Sequence, residues 1–143
     1  MAKTFSTIAD RRARGTYDGD LQLRDYAAAA LSATTSSTGI LFQPRKIEAF
    51  KVCISQAAYT SYTAGTAEWV ITIEVSATVG GTYTVIGTLP AAVFAGAAGE
   101  TEILFGGDEV ADRLSTAEAI RVTATKTGSP GSLTMGAWIV PSF

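Results

Sequence analysis

The sequence predicts an all-β protein: one antiparallel β-sandwich or jelly-roll-like domain (27–143) that follows an extended N-terminal arm (1–26). Three observations support this fold class. The 143 residues are 47% hydrophobic and 17% charged, with Thr, Ser and Gly plentiful, a composition that favours sheets and turns. Several short runs alternate apolar and polar residues, and turn signals separate them with no long helical pattern between them. A chain of this length is expected to bury one core.

The predicted arm carries most of the arginines and is interrupted by Gly15 and Gly19. Up to Lys51 the chain has a net charge of +3, whereas the remainder has a net charge of −5. A basic arm ahead of an acidic body suits docking on an acidic protein surface or on a neighbouring copy. A solvated polar terminus explains the same pattern equally well.

Two runs in the middle of the chain predict the strongest strands. "KIEAFKVCIS" is apolar on both faces, which is typical of a central strand, and Cys53 is expected to be a small buried apolar residue within it. "EWVITIEVSA" alternates cleanly and predicts a half-buried strand. Its expected inward side chains are Trp69, Ile71, Ile73, Val75 and Ala77.

Weaker signals surround these two strands. "YAAAALSATTSSTG" predicts either a helical turn or a small-residue strand, followed by a loop. The segments 83–89 and 102–105 predict short strands, and Asp108 is expected to cap a brief helix in "GGDEVADRLSTAEA". The closing runs "AIRVTATKTG" and "SLTMGAWIVP" predict two further strands, which the turn signal "GSPGS" separates.

The glycines of "IEVSATVGGTYTVIGTLP" predict a hairpin and not a phosphate-binding loop. Their spacing departs from G-x-G-x-x-G, no lysine is present, and a strand follows where a helix would be needed. A three-residue loop, 79–81, places Val75 opposite Val85 and Ile71 opposite Leu89, which keeps apolar side chains on one face. Gly81 is then expected to have a positive φ.

The inventory of reactive side chains argues against an enzyme. There is no histidine and only one cysteine, which excludes Ser-His-Asp and Cys-His catalysis and the usual zinc sites. We therefore predict no catalytic residues, no metal and no cofactor. The basic residues are few and lack interleaved aromatics, so nucleic acid is not an expected partner. No apolar run reaches the ~18 residues of a membrane span, and no signal peptide is recognisable, which predicts a cytosolic site of synthesis.

The remaining candidates are residues for binding a partner. In the arm, arginines are expected to pair with carboxylates, and loop tyrosines are expected to supply apolar contacts. Trp138 alternates out of phase with its apolar neighbours, which places it under the arm, in an interface between subunits or on a sugar-binding surface. The candidates are Arg11, Arg12, Arg14, Arg24, Tyr59, Tyr62 and Trp138.

The segment "SATVGGTYTVIGTL" together with "AIRVTATKTGSPGSLTMGAWIV" resembles the small β-sandwich decoration, or cement, proteins and other minor capsid proteins of tailed bacteriophages. The resemblance covers residues 68–141. It implies a non-enzymatic virion protein that is assembled in the host cytoplasm and binds the major capsid protein on the capsid surface as a dimer or trimer. No residue roles transfer with it, because the pattern has no invariant chemistry.

Two alternatives stay open at this point. One is a carbohydrate-binding or adhesion module, in a head fibre or tail, that stacks sugars on Tyr59, Tyr62 or Trp138. The other is a structural protein of the tail or connector, which would use the same contacts on a different partner.

Overall fold

The computed structural model describes residues 21–142, which form nine strands and one α-helix. The helix is α1 (Gly107–Arg113), and single 3-10 turns lie at Pro44–Lys46 and Ala91–Val93. The strands are β1 (Gln22–Arg24), β2 (Thr35–Ser36), β3 (Ile40–Leu41), β4 (Ala49–Gln56), β5 (Glu68–Ser76), β6 (Thr84–Leu89), β7 (Gly99–Gly106), β8 (Ala119–Thr127) and β9 (Met135–Ser142).

The strands form two antiparallel sheets packed face to face. One sheet has the order β1-β9-β4-β7, and the other has the order β2-β8-β5-β6 with β3 also paired to β8. The pairs are nested, because β5 pairs with β6, β4 with β7, β2 and β3 with β8, and β1 with β9. The chain is thus one long hairpin wrapped into two layers, which is the jelly-roll arrangement. The predicted all-β sandwich is confirmed.

The core lies between the two sheets and is built by the alternating strands. Strand β4 is central in its sheet, between β9 and β7, as its two apolar faces predicted. Strand β5 is central in the other sheet, between β8 and β6. The side chains from these strands and their neighbours form one buried cluster, which includes Phe50, Val52, Ile54, Trp69, Ile71, Ile73, Val75, Phe105, Ile120, Leu133 and Ile139.

The described end of the predicted arm belongs to the sandwich. Gln22 pairs with Trp138, which makes β1 an outer strand of the four-stranded sheet, and Leu23 is buried in the core cluster. A three-residue strand bounded by polar residues shows too little alternation to be recognised in the sequence. Residues 1–20 lie outside the described residues, so that part of the arm stays a prediction.

The glycine-rich hairpin forms, but only half of its predicted register is correct. Ile71 pairs with Leu89 as expected. Val75 pairs with Thr84 and not with Val85, and the two strands are joined by the longer loop 77–83. Gly81 is not among the described glycines with positive φ, which are Gly65, Gly96 and Gly128. The prediction of a three-residue loop closed by Gly81 is therefore wrong.

A β-bulge in β6 explains the wrong register. Glu74 pairs with Val85 and Ile73 pairs with Gly87, so Ile86 is an extra residue without a direct partner. The extra residue turns Ile86 into the core and leaves Val85 on the outer face, where it is exposed. Alternation in the sequence alone predicts the opposite, with Val85 on the core face and Ile86 on the outer face.

The irregular segments differ from their predictions in two places. Gly106 is the N-cap residue of α1 and no side chain caps this helix, so the predicted capping role of Asp108 is wrong. Asp108 lies instead in the first turn, where its charge interacts favourably with the helix dipole. The Ala run forms a turn in which the backbone N–H of Ala28 donates to the carbonyl of Asp25 at 3.0 Å, and Leu31 then forms a β-bridge with Leu133.

No helix within residues 21–142 has the length and apolarity needed to cross a membrane.

Candidate interaction surface

A buried carboxylate lies on the outer face of the five-stranded sheet. Glu74 points away from the core, yet only 8% of it is exposed. Its Oε1 accepts hydrogen bonds from Arg121 Nε at 2.7 Å and from Thr123 Oγ1 at 3.0 Å, and its Oε2 accepts from Thr72 Oγ1 at 3.0 Å. Ser36 Oγ lies 2.9 Å from Thr123 Oγ1. Since the Thr123 hydroxyl proton is directed at Glu74, Ser36 is the donor to Thr123.

This network follows from the pairing of β5 with β8. The register places Glu74 opposite Arg121 and Thr72 opposite Thr123, so the four side chains share one face. Hydrogen bonds with an ionised donor or acceptor are the stronger ones in proteins, and the Glu74 carboxylate accepts three hydrogen bonds here. The network therefore fixes the direction of the Arg121 guanidinium.

Tyr83 covers that guanidinium. The Cζ of Arg121 lies 3.9 Å from the centroid of the Tyr83 ring, which is the geometry of a cation–π contact. The Tyr83 hydroxyl donates to the carbonyl of Val79 at 2.6 Å. Gly39, in the β2–β3 connection, approaches so closely that a Cβ there would collide with the same hydroxyl. Burial raises the pKa of Tyr83 above its usual value, and the nearby Arg121 charge opposes that shift.

Exposed apolar side chains surround this stack. Five large apolar residues remain exposed in the described chain: Leu41, Val79, Val85, Val93 and Leu104. Leu41 is 72% exposed and pairs with Ala119 of β8. Ala119 lies two positions before Arg121, so Leu41 and Arg121 lie on the same face of the sheet. Val85 pairs with Glu74, and Val79 accepts the Tyr83 hydrogen bond.

We call this surface the Tyr83 patch, and it consists of Leu41, Val79, Tyr83, Val85 and Arg121. From β3 to β6 it spans three strand spacings, roughly 14 Å. Aromatic residues and arginine are enriched at protein interfaces, where they form the contacts that contribute most to binding. The patch is suited to contact with another protein.

Tyr59 and Tyr62 lie together in the β4–β5 loop, at one end of the sandwich. Tyr59 is buried against the core, and its hydroxyl oxygen accepts from the backbone N–H of Trp69 at 3.3 Å. The two rings meet edge to face with centroids 6.4 Å apart. Burial raises the pKa of Tyr59. These contacts hold the β4–β5 loop onto the core.

Arg24 lies half-buried at the margin between the two sheets. Its Nη2 donates to the carbonyl of Ala29 at 2.7 Å, and its side chain lines a water-sized cavity with Leu31, Ser37 and Met135. Burial lowers the pKa of Arg24, and the adjacent Asp25 carboxylate raises it. The other candidate arginines, Arg11, Arg12 and Arg14, lie outside the described residues.

Trp138 points outward from the four-stranded sheet but is fully buried. It pairs with Cys53 on β4, which is also fully buried, and the two form a separate apolar cluster with Val140. The predicted burial of Cys53 is confirmed. The Cys53 thiol donates to Glu102 Oε2 at 3.6 Å, and Lys51 Nζ lies 3.3 Å from the same oxygen.

Among residues 21–142, no three His, Cys, Asp or Glu side chains are placed to hold a metal ion. Comparison of the chain with models of known protein families and with curated proteins finds no match.

The Tyr83 patch was not predicted from the sequence. Glu74 and Arg121 occupy polar positions of their strands, and only the pairing of β5 with β8 brings them together. Val85 was assigned to the core because the bulge was not recognised. The one signal available was a tyrosine two residues after the Gly80–Gly81 pair.

Proposed function

We propose that this protein is a non-enzymatic virion structural protein that decorates the capsid of a tailed bacteriophage and stabilises its major capsid protein lattice. The observation that carries the proposal is the Tyr83 patch, in which exposed apolar side chains surround an ordered aromatic and cationic pair. The jelly-roll arrangement is compatible with this role, since capsid proteins and lectins both use it. Fold alone does not define function, so the argument rests on the patch.

The patch has the features of a protein interface. It lies on a sheet face, whereas small-molecule sites are concave and enclose their ligand. Glu74 holds Arg121 and Arg121 supports Tyr83, so these side chains lose little conformational freedom when a partner binds. Leu41 and Val85 supply apolar area at opposite sides of the pair.

Charge supplies a second element of the proposal. The arginines Arg11, Arg12 and Arg14 of the arm would pair with carboxylates of the capsid lattice, with the protein bound there as a dimer or trimer. The carbohydrate-binding alternative is less favoured, because two of its three aromatic residues, Tyr59 and Trp138, are buried and only Tyr62 is partly exposed.

The test is cosedimentation with purified heads that are built from the same virus's major capsid protein and lack this chain. We expect the wild-type protein to sediment with the heads, and the double variant Leu41→Asp, Val85→Asp to bind roughly tenfold or more weakly. Val93→Asp is the matched control, because Val93 is an exposed apolar residue outside the patch. All three proteins should show the same far-ultraviolet circular dichroism.

The number of copies bound separates this role from its neighbours. Hundreds of copies per head agree with decoration, whereas a handful at one vertex would identify a connector or fibre component instead. Absence of wild-type binding, or equal binding by the double variant and the control, would contradict the proposal.

A further inference from the structure

Arg121 of the Tyr83 patch has hydrogen-bond donors that the described chain does not use. Its Nε donates to Glu74 at 2.7 Å, and the other two hydrogen bonds to that carboxylate come from threonine hydroxyls. Within residues 21–142 neither Nη group of Arg121 donates to a protein atom, and neither is buried without a partner. Both Nη groups therefore contact solvent, in a side chain that is 28% exposed.

The contact with Tyr83 leaves these donors available. Arg121 Cζ lies over the Tyr83 ring, 3.9 Å from its centroid. This contact uses the face of the ring and forms no hydrogen bond, whereas the N–H donors of a guanidinium lie in its own plane. Glu74 and Tyr83 thus fix the direction of the guanidinium while its two Nη groups stay free to bind.

Apolar side chains and a second cation surround the free donors. Leu41 on β3 and Val85 on β6 are exposed on the two sides of Arg121. Arg113 of α1 donates from Nη1 to the carbonyl of Val85 at 3.5 Å, so it adds positive charge at the β6 margin. A purely apolar partner would cover the Nη groups of Arg121 without supplying acceptors, which is unfavourable. The surface therefore suits an anionic acceptor that has apolar groups beside it.

We infer that the Tyr83 patch binds a protein segment that presents one aspartate or glutamate carboxylate between two apolar side chains. The carboxylate accepts two parallel hydrogen bonds from the Nη groups of Arg121, and the apolar side chains cover Leu41 and Val85. The inference rests on the proposed function for the identity of the partner, which is the capsid lattice. The chemistry assigned to that partner comes from the patch itself.

The spacing across the patch agrees with an extended segment. From β3 to β6 the sheet spans roughly 14 Å, and residues four apart on one face of an extended chain lie roughly 13 Å apart. The residue midway between them lies over the two middle strands, where Arg121 of β8 meets Glu74 of β5. The bound segment therefore has the pattern apolar-x-acidic-x-apolar.

Two other occupants fit the patch less well. A phosphate group carries up to two negative charges and would lie beside the Glu74 carboxylate, which already neutralises Arg121. A two-fold contact between two copies of this chain, centred on the patch, would bring two Arg121 side chains together. A single carboxylate on a different protein avoids both repulsions.

The test titrates two peptides into the full chain, labelled for nuclear magnetic resonance. One is Leu-Thr-Glu-Thr-Leu with an acetylated N-terminus and an amidated C-terminus, and the matched peptide has glutamine in place of glutamate. At millimolar concentration the glutamate peptide should shift the backbone amide signals of Leu41, Val85 and Arg121. The glutamine peptide should bind roughly tenfold more weakly, because the charge-assisted pair is lost.

Arg121→Lys should reduce this preference for glutamate to about threefold or less, since lysine keeps the charge but lacks the planar fork. Arg45→Lys is the matched control and should keep the full preference. Arg45 also contacts a carboxylate at 2.7 Å and is also 28% exposed, but it lies outside the patch. The comparison of the two peptides in the wild type decides the inference even where a variant does not fold.

Equal affinity for the two peptides, or no shift with either, would overturn the inference. Tighter binding of a peptide with a central phosphothreonine would identify a phosphorylated partner instead and would also overturn it. Self-association of the protein that Leu41→Asp, Val85→Asp abolishes would identify a second copy as the occupant, with the same consequence. Because the peptides replace the heads, wild-type protein that sediments with heads but does not prefer the glutamate peptide contradicts this inference alone.

Discussion

Gly87 of β6 lies against the ring of Phe105 of β7, across the interface between the two sheets. A Cβ on Gly87 would stand 2.7 Å from Phe105 Cζ and 2.9 Å from Cε1, closer than side chains pack. Phe105 is itself buried and stacks on Phe50, with ring centroids 5.2 Å apart. The glycine is required here by space and not by a special φ, because the ring occupies the position of a side chain.

Gly87→Ala should therefore destabilise the sandwich. The added methyl group forces the Phe105 ring or the β6 backbone to move, and overpacking of this kind costs roughly 1–3 kcal/mol. Urea unfolding followed by tryptophan fluorescence measures the change. Gly80→Ala is the control, since nothing lies within 4 Å of its added Cβ, and its free energy of unfolding should change by less than about 0.5 kcal/mol or increase slightly. Equal loss in both variants would contradict the packing explanation.

The contact between Gly87 and Phe105 illustrates which parts of the fold could be predicted from the sequence. Strand β5 is long enough for period-two alternation to reveal its inner face, and the expected Trp69, Ile71, Ile73 and Val75 lie in the core. The fifth expected inward residue, Ala77, is wrong, because it lies in the loop after β5 and is exposed. The bulge at Ile86 and the adjacent contact between Gly87 and Phe105 were not accessible, because both depend on other strands. A contact between strands of different sheets leaves no local periodic signal.

The candidate interaction surface was harder to predict from the sequence for the same reason. The outward phase of Trp138 was visible in the sequence, and so was its possible place beneath the arm. Its complete burial was not visible, because alternation shows which face of a sheet a side chain is on and not how exposed that face is. Tyr83, Arg121 and Leu41 come from three separate segments, and only the sheet order brings them to one face.

Glu74→Ala should lower stability more than a typical surface substitution. The carboxylate accepts three hydrogen bonds, and its removal leaves the Arg121 guanidinium and two hydroxyls without their acceptor. Arg121 is partly exposed, so water compensates for some of the loss, and we expect roughly 1–3 kcal/mol. Glu109→Ala on the exposed side of α1 should change the free energy of unfolding by less than about 0.5 kcal/mol. Similar urea midpoints for the two variants would show that the network contributes no stability.

Alkaline pH should report the burial of Tyr83. Its pKa is raised, chiefly by burial, so the folded state retains the phenol proton at a pH where the unfolded chain loses it. The stabilisation is complete below the unfolded value near 10 and is lost as the pH rises through the folded value. Phenolate absorbance of the wild type minus that of Tyr83→Phe gives the titration of this residue. A midpoint at or below 10 would contradict the expected direction.

Gly39→Ala should displace Tyr83 without removing it. The new methyl group collides with the Tyr83 hydroxyl, and relief requires the phenol to leave its hydrogen bond to Val79 and move toward solvent. Burial is the main cause of the raised pKa, so the titration midpoint of Tyr83 should fall toward its ordinary value. The phenolate absorbance of Gly39→Ala minus that of the double variant Gly39→Ala, Tyr83→Phe gives the titration of Tyr83, and Gly80→Ala serves again as the control.

An unchanged midpoint for Tyr83 in Gly39→Ala would mean that the β2–β3 connection yields to the methyl group while the phenol stays on Arg121. The position of Tyr83 would then be set by the cation and not by Gly39.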